Sequence, residues 1–222
     1  MNESCKFKRY IWELPVRWCH WINMVSIVTL AATGFLIGRP YSLGSSASAY
    51  TMGWIRFVHF TAAYLFTVSV ISRAIWSFIG NKYSGWREFF PLSTAAGRAK
   101  TRKMLRYYLL LDHKVPETVG HNPLATSAYV ILFGIYSLMI LTGFALYAEH
   151  APGSPMHRIL GFMYAMFSNQ GMRLFHHFSM YLIFGFVVNH IYSAWLMDIK
   201  EHGSEISSMF SGFKFTVHKE KE

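Results

Sequence analysis

Charge is scarce in this chain of 222 residues. Asp, Glu, Lys and Arg together make up 14% of it, against 53% hydrophobic and 18% aromatic residues. A soluble globular domain carries about 25% charged and 45–50% apolar residues, so neither a soluble enzyme nor a disordered chain fits. Acid is scarcest: 11 Asp and Glu stand against 21 Lys and Arg, a net charge of +10. Cysteine is nearly absent. Cys5 and Cys19 supply neither a disulfide framework nor a CxxC metal knuckle, and two thiolates cannot hold an iron–sulfur cluster. No tandem repeat of about 20–50 residues is present, which excludes a solenoid. Histidine, by contrast, is abundant, with eleven copies.

The apolar residues gather in four runs, at about 18–38, 54–80, 126–148 and 173–197. Each meets the length of about 20 residues that a spanning helix needs. Trp18, Trp21, Trp54, Trp76, Tyr147 and Trp195 mark their ends, as the membrane interface favours. The first run is longer than a signal-peptide apolar core of about 7–15 residues and reads as a retained span. The expected fold is all-α: a four-helix bundle in the membrane, one domain over 1–222. Sixteen Lys and Arg fall on the N-terminal tail, the loop 81–125 and the C-terminal tail. Arg39, Arg56, Arg158 and Arg173 fall on the other side. The positive-inside rule therefore puts both termini and the basic loop in the cytoplasm, in a multi-pass inner-membrane protein. It also makes the positive charge a topology signal, not a nucleic-acid footprint.

Three smaller features remain. Arg98–Asp112 reads as a basic interfacial helix. Ile159–Phe167 is apolar but too short to span, and is expected on the membrane surface or against a partner. Thr-Gly-Phe occurs twice, at Thr33–Phe35 and Thr142–Phe144, and reads as close helix packing at a small residue. Gly34, Gly134, Gly143 and Gly185 lie within spans, where they give room to a porphyrin face or to a neighbouring helix.

Ionisable groups are costly in hydrocarbon and mark function. Five histidines lie in or at the edge of spans: His20, His59, His176, His177 and His190. His176 and His190 are fourteen residues apart, about 1400° of helix, so they share a face to within about 40° and stand about 21 Å apart. His177 comes out about 140° away from His190. Depth pairs His20 with His190 near the cytoplasm and His59 with His176 near the outside. Two imidazole pairs in a helical bundle suit two six-coordinate b-type haems. Zinc fits less well, since it takes four ligands. Arg17, Arg56 and Arg173 each precede a histidine of this set by three residues. That spacing sets a guanidinium beside each, where it can pair with a haem propionate or snorkel to water. Arg73, deeper in its span, needs an anionic partner: a propionate or a bound quinone.

These residues lie in stretches that resemble a known family. Leu14–Trp21 (LPVRWCHW), Gly53–Phe60 (GWIRFVHF), Gly120–Pro123 (GHNP), Thr142–His150 (TGFALYAEH) and Asn189–Tyr192 (NHIY) are similar to the b-type cytochrome subunit of membrane-bound nickel–iron hydrogenases, which is related to the formate dehydrogenase gamma subunit. The resemblance covers nearly the whole chain. It selects His176 over His177, because the family ligand lies fourteen residues before the last histidine. It implies an electron-transfer subunit of a hydrogen:quinone oxidoreductase complex, not the H₂-activating subunit. Electrons would enter from the iron–sulfur small subunit, itself bound to the large subunit, and leave to a membrane quinone. By position, Asn122 would contact that quinone and His121 would donate a proton to it. The alternatives are the same relay serving another dehydrogenase, such as formate dehydrogenase, or a non-redox membrane anchor.

Overall fold

The computed structural model describes residues 7–39, 50–112, 123–201 and 204–216. Four helices are long and apolar enough to cross a membrane: α1 (Leu14–Gly38), α2 (Thr51–Ile79), α5 (Pro123–Ala148) and α7 (Asn169–Glu201). At about 1.5 Å per residue, the 33 residues of α7 reach about 50 Å. That exceeds a hydrocarbon core of about 30 Å, so the helix runs on past its apolar segment. Proline opens α5 and stands second in α1, where its missing N–H costs nothing. Inside the spans, Thr29, Thr33, Thr67, Ser137 and Thr142 return their hydroxyl protons to carbonyls one turn back. This satisfies polar side chains where water is absent. Val25, Val28, Leu65, Val68, Phe178 and Phe184 are exposed on these helices.

The chain divides into two compact units. One is Pro15–Ile75, carrying most of α1 and α2. The other comprises Met1–Leu14 and Trp76–Glu222. In the first unit, Ser69 Oγ donates to the Cys19 carbonyl at 3.2 Å and sets the level of α2 against α1. In the second, α5 packs on α7 and on α6 (Pro155–Met166) around buried Ala145, Leu160, Met163 and Met172. Helix α6 covers most of the apolar run at 159–167. Ser154 caps it by accepting from the His157 N–H at 3.2 Å, and Pro155 begins it. The basic segment forms α4 (Ala95–Tyr108), capped by Thr94 and preceded by a short α3 (Trp86–Phe89) and a 3₁₀ turn at Pro91–Ser93. The helix stops before Leu110, whose φ of 60° is left-handed, and Asp112 folds back to pair with Arg106 at 2.9 Å. That carboxylate holds the exposed Arg106 guanidinium above its ordinary pKa, first through the hydrogen bond and then through its charge.

One element departs from the all-helical expectation. Strands β1 (Phe7–Tyr10) and β2 (Phe213–Thr216) pair antiparallel, Phe7 opposite Thr216 and Tyr10 opposite Phe213. Four-residue strands are too short for a period-two pattern to stand out in sequence. The ribbon is closed by α8 (Glu205–Ser211) and by Gly212, at φ 84°. A side chain at Gly212 would meet both left-handed strain and the Tyr10 ring, 2.6 Å from the Cβ position. Pairing the two strands brings the two ends of the described chain together.

Behind the ribbon, Glu13 is seated among donors. Its Oε2 accepts from Trp76 Nε1 (3.0 Å), the Asn81 N–H (2.8 Å) and Ser84 Oγ (2.9 Å). Asn81 Nδ2 in turn donates to the Ile11 carbonyl. Gly80 leaves the room: a Cβ there would lie 2.3 Å from Ser84 Oγ and 2.8 Å from Glu13 Oε2.

Candidate functional site

Within the unit Pro15–Ile75, His59 on α2 faces the Thr33-Gly34 step of α1. Its Nδ1 lies 2.8 Å from Thr33 Oγ1, and a Cβ on Gly34 would stand 3.4 Å from its Cε1. Within the other unit the same arrangement recurs. His176 on α7 faces Thr142-Gly143 of α5, with Nδ1 3.0 Å from Thr142 Oγ1 and Cε1 3.1 Å from a Cβ on Gly143. Gly134 and Gly185, by contrast, face open space. The repeated Thr-Gly-Phe is therefore not simple helix packing: each copy is a cradle for one histidine ring.

The protons in each cradle can be counted. Thr33 Oγ1 lies 2.6 Å from the Thr29 carbonyl, and Thr142 Oγ1 lies 2.7 Å from that of Leu138. A carbonyl has no proton, so the single hydroxyl proton sits in that contact. Toward the imidazole the hydroxyl must then accept. Nδ1 of His59 and of His176 carries the ring proton, and Nε2 holds the lone pair in the neutral ring. That is the tautomer a metal ligand requires when Nε2 is the ligating atom.

His177 is placed differently. Its Nδ1 lies 2.8 Å from the Arg173 carbonyl of its own helix, and its ring stands edge-on to His176. His190 stacks on Phe186 at 5.7 Å and meets the edge of Tyr129 at 6.3 Å. His20 is half-buried on α1 against Trp21, with ring centroids 5.1 Å apart. Among the described residues no group of three or more His, Cys, Asp or Glu gathers to hold a metal ion. His121 and Asn122 lie outside the described residues.

The arginines separate by environment. Arg56 and Arg173 are exposed, Arg17 is half-buried, and Arg73 is 8% exposed. Arg73 lies one turn beyond Ser69, which touches Cys19, so it stands level with the first turn of α1 and close in depth to Arg17 and His20. The stretch 15–75 contains no Asp or Glu. Arg173 Nε donates to Asn169 Oδ1 at 2.7 Å, and Asn169 donates onward to Glu149. Nearby, Tyr164 donates to the Ala145 carbonyl. Burial first, then the charge of Glu149, holds that phenol above its ordinary pKa against the opposing pull of Arg173.

Residues 11–212 match the family model described as prokaryotic cytochrome b561. The chain belongs to that family. Its relatives agree over almost all of their length. A protein of Cupriavidus necator named "Probable Ni/Fe-hydrogenase B-type cytochrome subunit" is 41% identical over 92% of this chain and 86% of its own. One of the same name from Bradyrhizobium diazoefficiens is 38% identical over 91% and 84%. The Escherichia coli K12 "Probable Ni/Fe-hydrogenase 1 B-type cytochrome subunit" is 36% identical over 92% and 90%. A cytochrome of the b type holds haem by side-chain ligands. The two cradled imidazoles of this cytochrome, fixed in the Nδ1–H tautomer, fit that group.

Proposed function

We propose that this cytochrome is the B-type subunit of a nickel–iron hydrogenase and carries electrons from its iron–sulfur small subunit to membrane quinone. Haem b, when bound, supplies a one-electron carrier. Its ligands are His59 and His176 for one haem and His20 and His190 for the other. The observation that carries this reading is the duplicated Thr-Gly cradle. It serves the two histidines that depth in the spans assigns to the same haem, and it passes over His177. The relatives' names favour a hydrogenase over another dehydrogenase as the partner.

The remaining assignments follow from charge and topology. Arg73, close in depth to Arg17, would hold a propionate of the haem near His20 or the quinone itself. Arg56 and Arg173 stand where propionates of the other haem would meet water. Asn122 would contact the quinone and His121 would give it a proton. The four spans would close as one bundle in the inner membrane, with both termini and α4 in the cytoplasm. The β1–β2 ribbon supports a common side for the two ends, and the sixteen-to-four distribution of Lys and Arg supports the cytoplasm as that side.

Haem counting decides the core of this. Pyridine haemochrome analysis of the purified chain should give two haems b. A dithionite-reduced spectrum without a b-type α band would overturn the proposal.

A further inference from the structure

We infer that Thr33 and Thr142 are positioning residues that lower the midpoint potential of the haem bound by His59 and His176. The inference rests on the ligand assignment above and adds the hydroxyls to it. Each hydroxyl stands in a directed chain: imidazole Nδ1–H to Oγ1, then Oγ1–H to the carbonyl one turn back. A hydroxyl that donates becomes a better acceptor, because successive hydrogen bonds polarise one another. Drawing on the Nδ1 proton makes the ring more basic at Nε2. A more electron-donating ligand stabilises ferric over ferrous iron, so the potential falls.

The chain also fixes the rings. A hydroxyl pinned to its own helix backbone has little freedom, and β-branched threonine is stiff at χ1. The adjacent glycines remove the side chain that would otherwise occupy the ring's place. Hydroxyl and glycine thus set the tautomer, the orientation and the height of each imidazole. Both cradles are built this way, although they lie on different helices and in separate compact units. Two independent instances of one arrangement argue for a common role.

The test uses the full chain in its membranes, with Thr33→Val and Thr142→Val to remove the hydroxyl at constant shape, and Thr33→Ser and Thr142→Ser to keep it. Haem content, a potentiometric titration of the α band and the low-spin electron paramagnetic resonance signal are read for each. The expected result is two haems in every variant, a midpoint raised for one haem in both valine variants, and a return toward the parent value with serine. If a valine variant loses a haem, recovery of that haem by serine supports the inference, and loss in both overturns it. Two bound haems with unmoved midpoints in the valine variants also overturn it, as do serine variants that shift as far as valine. Failure of the ligand assignment has a separate signature: His59→Ala and His176→Ala would both keep a full complement of haem.

Discussion

The Ile11 N–H donates to the Gly212 carbonyl at 2.9 Å. These two residues are also the first and last of the stretch that matches the family model. The contact is reinforced by Trp12, whose N–H reaches the same carbonyl and whose Nε1 donates to buried Ser208 Oγ at 3.1 Å. The matched stretch is thus closed on itself outside the spans.

The Glu13 seat, which ties the same N-terminal segment to Trp76, Asn81 and Ser84, gives a first prediction. Glu13→Gln keeps the shape and discards the charge that three donors share. A hydrogen bond to a charged group contributes about 1.5–3 kcal/mol, and partial exposure puts the expected loss near the lower figure. Gly80→Ala should cost at least as much, because its Cβ would collide with the acceptor and with Ser84. Thermal unfolding in detergent checks both. Unchanged midpoints would mean that the N-terminal segment contributes nothing to stability.

Ligand choice gives a second prediction. His59→Ala and His176→Ala should each remove one haem, while His177→Ala should leave two, since its Nδ1 is already engaged by its own helix. Pyridine haemochrome counts decide it. A haem lost from His177→Ala would mean that the Thr142 cradle holds the wrong ring.

The two glycines should differ in sensitivity. A Cβ at Gly143 meets His176 Cε1 at 3.1 Å, tighter than ordinary contact, whereas at Gly34 the corresponding distance is 3.4 Å. Gly143→Ala should therefore disturb the low-spin haem spectrum more than Gly34→Ala. Equal effects would show that both rings can retreat.

Arg73 is the buried arginine among the described site residues. Arg73→Gln removes a positive charge close in depth to His20. Loss of that charge favours the oxidised haem, so its midpoint should fall while the other holds. A redox titration in which neither midpoint moves would place Arg73 away from both haems.

Asn122→Ala should slow quinone reduction severalfold with haem content unchanged. Assay of quinone reduction by the whole complex checks it, and an unaltered rate would return His121-Asn122-Pro123 to a simple turn before α5.

Much of this was legible in the sequence. Four apolar runs announce four long helices because hydrocarbon demands them, and His176 and His190 share a face by helical arithmetic alone. The Thr-Gly echo was visible but ambiguous. A small residue within a span admits a helix as readily as a ring, and only the fold brings Thr33 to His59 and Thr142 to His176. The ribbon was hidden for another reason. Strands of four residues carry too few alternations to register, and their pairing joins Phe7 to Thr216 across nearly the whole sequence. Glu13 was equally silent, since its three donors come from a helix end and a turn that sequence cannot fold onto it.

With all four long helices across the bilayer as proposed, the ribbon would act as a parity check on insertion. Strand β1 is synthesised before any span and β2 after all of them. The two can meet only when an even number of helices has crossed the bilayer. A chain that leaves one span uninserted would strand the two on opposite faces, with β1 and β2 unpaired and a sheet edge exposed.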